Sequence, residues 1–213
     1  DRLREMKRFY PFLLGILAAL FFGAATPASK ALLNNFHPFS LAGLLYLGAV
    51  VGVFPLLLRK GSVRAPWKLG KKNGRRLLGS ILLGGIAGPV LLLFGLKAAS
   101  AASVSMWLNL ELIATALLGT WLFKEQLGFR GWVGVTGTVG AAALLSWGEG
   151  MPGVWAVLLV TGGCFCWGFD NHFTALIDGI RPAEITLWKG LVAGGVNLGI
   201  GVTLSGEVGT ASG

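Results

Sequence analysis

The chain has 213 residues, 54% of them hydrophobic and 13% charged, with a mean hydropathy of +0.72 and a formal net charge of +9. That charge fraction is about half the soluble norm, which excludes a soluble domain with a large core and leaves a polytopic membrane protein. The basic excess does not read as a nucleic-acid footprint. Arg2, Arg4, Lys7 and Arg8 lie just before the first apolar run, and Arg59, Lys60, Arg64, Lys68, Lys71, Lys72, Arg75 and Arg76 lie between the second and third; such clusters mark cytoplasmic loops that meet anionic lipid headgroups.

Seven apolar runs are predicted to span the membrane as helices, an all-α architecture. Span one covers about 12–33 and ends in the turn NNFHPF; span two covers about 40–58. The basic loop follows, with Gly61, Pro66, Gly70 and Gly74 as breakers. Span three covers about 77–96, span four about 102–123, and KEQLGFR leads to span five at about 131–147. After the turn GEGMPG come span six at about 154–177, the link DGIRPAE, span seven at about 185–204, and a short polar tail. No cleavable signal peptide is evident, and the start at Asp1 without Met suggests that an end is missing. Cys164 and Cys166 sit one residue apart in an apolar run, which fits small buried residues rather than a metal set or a disulfide.

Span four carries the most informative residue. As one helix of about 30 Å it would place Glu111 near the bilayer midplane. A carboxylate at that depth faces a protein interior or a wet cavity. Helical spacing puts Ser103, Trp107, Glu111 and Thr115 on one stripe, while Leu108, Leu110, Ile113 and Leu117 fall elsewhere and can face lipid. The stripe reads as a cavity lining that exchanges a proton or meets a cationic group; the plainer alternative is a paired, structural Glu. In span six, Asp170, Asn171 and His172 are successive and point in different directions, so Asp170 with Thr174, or Asn171 with Trp167, could line the path, and His172 reads as a hydrogen-bonded structural residue. Lys30 and Lys97 lie near outer helix ends and can snorkel; Lys189 can do the same inward or pair with Asp170. Trp67, Trp132, Trp147, Trp155 and Trp188 lie near span ends as interface anchors.

The positive-inside rule puts the N-terminus, the 59–76 loop, Lys124 and Arg130 in the cytoplasm, and the turns at 34–39 and 148–153 outside. A weak internal repeat pairs FFG at 21–23, with a turn ending at Pro38, with CWG at 166–168 and a turn ending at Pro182. An odd number of spans separates the copies, so the second would be inverted, as in many secondary transporters. Gly23 and Pro27 in span one, and Gly162, Gly163 and Gly168 in span six, suit either a moving site or close packing; Gly131, Gly134, Gly137 and Gly140 in span five read as a packing face.

Three stretches carry a resemblance: FFGAATPASKALL in span one, LNLELIATALLGTWLFKEQLG across span four, and CWGFDNHFTALIDGIRPAEITLWKG across spans six and seven. With them the chain resembles the EamA-type family of the drug/metabolite transporter superfamily. The resemblance implies two inverted five-helix repeats, cytoplasmic termini, and alternating access around a central cavity, often exporting amino acids or other small metabolites. It divides the chain into a first repeat at 1–147 and the start of a second at 148–213, with three helices absent. It points to Glu111 and to Glu125 after the helix; Leu112 stands where the family has Pro, which puts a kink there in doubt. The expected protein is an inner-membrane permease for a small-molecule substrate, with a cytoplasmic N-terminus and no cofactor. Its site residues are Glu111, Trp107, Ser103, Thr115, Asp170 and Asn171. The missing helices leave open homo-oligomerisation and the alternative of a structural or assembly subunit without transport of its own. An integral-membrane enzyme has little support: His37 and His172 are the only histidines, and neither HExxH nor a phosphate-cradling Gly loop occurs.

Overall fold

The computed structural model of the chain describes residues 2–59, 61, 63–146 and 153–210, and every regular element among them is helical. The elements are α1 (Arg2–Leu32), α2 (Pro38–Leu58), a 3-10 turn (Pro66–Leu69), α3 (Gly70–Gly79), a π-helical segment (Ser80–Ala87), α4 (Gly88–Ala98), α5 (Ala101–Trp107), α6 (Leu110–Trp121), α7 (Phe129–Ser146), α8 (Val154–Ala175) and α9 (Pro182–Thr210). Trp147 and, apart from Gly153, the expected turn at 148–153 lie outside the described residues.

Among the described residues six helical runs are long and apolar enough to cross a membrane: Pro11–Leu32, Pro38–Leu58, Pro66–Ala98, Ala101–Trp121, Val154–Ala175 and Pro182–Ser205. They match six of the seven expected spans. α7 occupies the place of the fifth, but Arg130 and its repeated Gly and Thr dilute its apolar character. The third run starts earlier than expected, because the second half of the basic loop is already helical. The tail also differs: helix continues to Thr210.

Span three is a composite, and Pro89 accounts for its form. A proline has no N–H, so the carbonyls four and five residues back lose their helical donor. Those carbonyls belong to Gly85 and Gly84. The helix widens there, with the Gly88 N–H donating to the Leu83 carbonyl. Side chains from other helices supply the missing donors. Asn197 Nδ2 donates to the Gly85 carbonyl at 3.2 Å, Trp167 Nε1 to the Gly84 carbonyl at 3.1 Å, and the Tyr46 hydroxyl also donates to Gly84. The repair ties α2, α8 and α9 to span three.

α2 and α9 form the most extensive helix pair. Ser40 lies against Gly201, Gly43 against Leu198, Leu47 against Gly194 and Val50 against Gly190, so the two helices run antiparallel. Glycine permits the approach: a Cβ on Gly190 would lie 2.5 Å from Val50, and one on Gly43 2.5 Å from the Leu198 nitrogen. In α7, by contrast, Gly134, Gly137 and Gly140 have nothing within 4 Å. The small-residue packing face expected in span five is realised in α9 instead.

α8 packs antiparallel to span three, with Val160 against Gly95, Leu92 against Gly163 and Phe173 against Gly79. Lys30 Nζ donates to the carbonyls of Leu96 at 2.7 Å and Ala99 at 2.8 Å, so α1 and α4 end together and α1 runs opposite to α8. This corrects the snorkelling expected of Lys30: its ammonium satisfies the orphan carbonyls at the α4 C-terminus. The first core cluster includes Leu41, Leu93, Leu96, Val104, Val160 and Cys164, and Leu108 and Leu110 pack against it. These two leucines therefore face protein, not the lipid expected from span four as a single helix.

At the opposite end, the basic loop docks on the α8–α9 link. The Arg64 N–H donates to Glu184 Oε1 at 2.8 Å, Trp188 Nε1 to the Arg64 carbonyl at 2.9 Å, and Arg76 to the Leu176 carbonyl at 2.6 Å. Trp188 thus serves as a tie between segments. Trp67 and Trp155 remain exposed, as interface anchors require.

Candidate functional site

Span four is not one uninterrupted α-helix. Between α5 and α6 the bonding tightens to i→i+3: Asn109 N–H to Met106 at 3.2 Å, Glu111 N–H to Leu108 at 3.0 Å, and Leu112 N–H to Asn109 at 3.2 Å. The Asn109 side chain also donates to the Met106 carbonyl at 2.9 Å, competing for the helical acceptor. The break therefore precedes the acid, and Leu112 in place of a proline does not prevent it. Glu111 falls in the first turn of α6.

Asn171 Nδ2 donates to Glu111 Oε1 at 3.0 Å and lies 3.2 Å from Thr115 Oγ1. Three of the six expected site residues are therefore brought together across the α6–α8 contact. Ser103 is elsewhere: its N–H caps α5 on Ser100 Oγ at 3.0 Å, and the two hydroxyls are 2.9 Å apart. Trp107 packs on the first core cluster, and its carbonyl accepts from Cys164 Sγ at 3.7 Å.

Asp170 faces away from Asn171, as successive helical residues must. Lys189 Nζ meets both its carboxylate oxygens at 2.7 Å, and Ser80 and Thr174 donate to Oδ1 at 2.5 and 3.1 Å. Of the two roles open to Lys189, the pair with Asp170 is the one observed. Gly84 allows the carboxylate to approach span three, since a Cβ there would collide with it. His172 takes a third direction. Its Nδ1 lies 3.1 Å from Glu125 Oε1, its Nε2 2.9 Å from the Thr115 carbonyl, and its ring stacks on Phe123 at 4.3 Å. The hydrogen-bonded structural role expected of His172 is what the geometry shows.

The roles of Ser80, Tyr46 and Asn197 escaped the sequence reading. Their only signal was the Gly84–Gly85–Pro89 pattern, which announces free carbonyls without naming their partners. Two cavities flank these clusters. One, of about 170 Å³, lies among α1, α2, α4 and α8 and is lined by Thr26, Ser29, Tyr46, Leu108 and Trp167 among others. The second, of about 470 Å³, opens between α6 and α7 beside Thr115 and Glu125. Among the described residues no cluster of His, Cys, Asp and Glu could hold a metal ion.

The EamA-like transporter family model matches residues 10–147. Over 191 residues the chain is 28% identical to an uncharacterized transporter of Methanothermobacter thermautotrophicus, a match covering 81% of this chain and 55% of that one. Over 143 residues it is 32% identical to an uncharacterized transporter of Synechocystis, covering 67% of this chain and 41% of that one. The chain thus spans about half the length of the curated relatives it matches. No solved structure matches it. The family match over residues 10–147, together with six helices apolar enough to cross a membrane among the described residues, leads to one conclusion: the chain belongs to the EamA-like transporter family.

Proposed function

We propose that the chain forms the working core of a secondary transporter that exports small metabolites or amino acids across the cell membrane by alternating access. The observation that carries this reading is the Glu111–Asn171–Thr115 cluster, a carboxylate, a carboxamide and a hydroxyl meeting across two membrane helices. Intramembrane acids in such a setting mark substrate or proton paths. Glu111 is the contact for a cationic group or a proton, with Asn171 and Thr115 orienting it. Asp170, held by Lys189, organises the neighbouring helix. Ser103 and Trp107 support α5.

The same reading counts α7 as a seventh span and takes 1–147 and 148–213 as a first repeat and the start of an inverted second. The opposite directions of α1 and α8 support the inversion, as does the antiparallel α2–α9 pair, whose helices the repeat equates. Phe22 and Trp167, matched in FFG and CWG, line one cavity. The end of the bundle with Arg64, Lys68, Lys71, Lys72, Lys124 and Arg181 is cytoplasmic by the positive-inside rule. The test is substrate flux in proteoliposomes with and without a pH gradient. Glu111→Gln is expected to insert and remain stable, yet to lose flux or its response to the gradient. Wild-type flux with wild-type pH dependence in that variant would make Glu111 structural.

A further inference from the structure

We propose that the cavity among α1, α2, α4 and α8 binds the uncharged, mostly apolar part of the transported molecule, a group of about six non-hydrogen atoms with one hydrogen-bonding atom. This rests on the transport reading only in calling the occupant a substrate.

Size, lining and unspent polar groups carry the inference. The volume is about 170 Å³, in a cleft that is partly open where Phe22 and Leu45 are exposed, and a slightly smaller apolar cavity accepts a six-carbon ring. Among the described residues no charged one lines it, and Phe22, Leu45, Leu92 and Leu108 are among its walls. Tyr46 and Trp167 also face it, but both polar atoms are committed to the Gly84 carbonyl, so these residues present rings. Thr26 and Ser29 are different. They are 7% and 6% exposed, line the cavity, and their hydroxyls have no hydrogen-bond partner among the described residues. Neither hydroxyl is fully buried, so each offers an accessible donor and acceptor to a molecule in the cavity.

The position agrees. Lys30, bound to the carbonyls of Leu96 and Ala99, ties α1 to α4 at one end of the cavity. At the other, Leu108 and Trp167 precede Glu111 and Asn171 by about one helical turn. A molecule whose polar head meets the Glu111–Asn171 pair therefore has this chamber within reach of its tail. Leu108 and Leu92 set the tail's length, and Thr26 and Ser29 favour a tail with a hydroxyl or carbonyl.

The test uses the full chain in lipid nanodiscs and two probe series, straight-chain 1-alkanols and primary alkylamines of two to nine carbons. Binding is read from tryptophan fluorescence and referred to empty nanodiscs. Affinity for alkanols is expected to rise about four-fold per methylene and then to stop rising at about six non-hydrogen atoms. Leu108→Phe, which narrows the chamber, is expected to lower the chain length at which affinity stops rising. Thr26→Val with Ser29→Ala is expected to lower alkanol affinity about five-fold. Affinity that keeps rising to nine carbons in both wild type and Leu108→Phe is partition into lipid and overturns the proposal. Glu111→Gln separates the two readings. Weaker amine binding with unchanged alkanol binding supports both; unchanged amine binding with the length limit intact removes the role of Glu111 and leaves the chamber standing.

Discussion

Replacing Lys189 by Met isolates the energetic weight of the ion pair inside the bundle. The wild-type ammonium meets both Asp170 oxygens at 2.7 Å, with side chains 15% and 11% exposed. Breaking a buried pair by removing one partner costs about 3–5 kcal/mol, because the other charge is left in low dielectric. Ser80 and Thr174 still donate to the Asp170 carboxylate, so the lower end, about 3 kcal/mol, is expected. Asp170→Asn leaves the converse orphan, a lysine on a four-carbon stem. Lys189 lies about two turns from the start of α9, close enough for its ammonium to reach towards the interface, so about 1–2 kcal/mol is expected. The double variant removes both charges and should lie near the milder single one. The assay is a double-mutant cycle on the unfolding midpoint of the detergent-solubilised protein. A sum of the two single losses in the double variant, or a loss under about 0.5 kcal/mol for Lys189→Met, would refute the pairing argument.

Gly190→Ala puts a Cβ 2.5 Å from Val50 and should cost about 1–3 kcal/mol of stability in the same assay, whereas Gly137→Ala, with nothing within 4 Å, should be neutral. A single cysteine at Asn35 should react with an impermeant maleimide in intact cells and one at Lys71 only after permeabilisation; the reverse pattern inverts the proposed orientation. Neutralising Lys71, Lys72 and Arg75, all exposed, should lower the preference of reconstituted protein for anionic lipid by about 1 kcal/mol per charge, read as lipid retention during purification.

Apolar run length and basic clustering made most of the helices legible, because both report on the bilayer rather than on tertiary contacts. The Glu111 cluster was half legible. An acid in an apolar run announces itself, but its partner Asn171 lies 60 residues away and no local pattern links them. Extending one helical stripe from Ser103 to Thr115 assumed unbroken α geometry, and the i→i+3 bonds at Asn109 and Glu111 break that phase. The same error put Leu108 on lipid, where it faces a cavity. The π segment was marked by Pro89 and its glycines, yet which side chains answer the freed carbonyls depends on packing alone.

The position of α8 connects these pieces. Three successive residues send polar side chains three ways: Asp170 to Lys189 on α9 and Ser80 on span three, Asn171 to Glu111 on α6, and His172 to Glu125 beyond α6. One turn earlier, Trp167 holds the Gly84 carbonyl that Pro89 leaves without a helical donor. Inside a bilayer Trp167, Asp170 and Asn171 must each find a new partner on losing the present one, since lipid offers none, whereas Glu125, 61% exposed, can turn to water. A tilt of α8 relative to span three and α6 would therefore have to exchange these satisfied contacts for others. The polar residues that make the bundle cohere are thus also the ones that would give it discrete states, and Glu111 lies on the α6 side of that exchange.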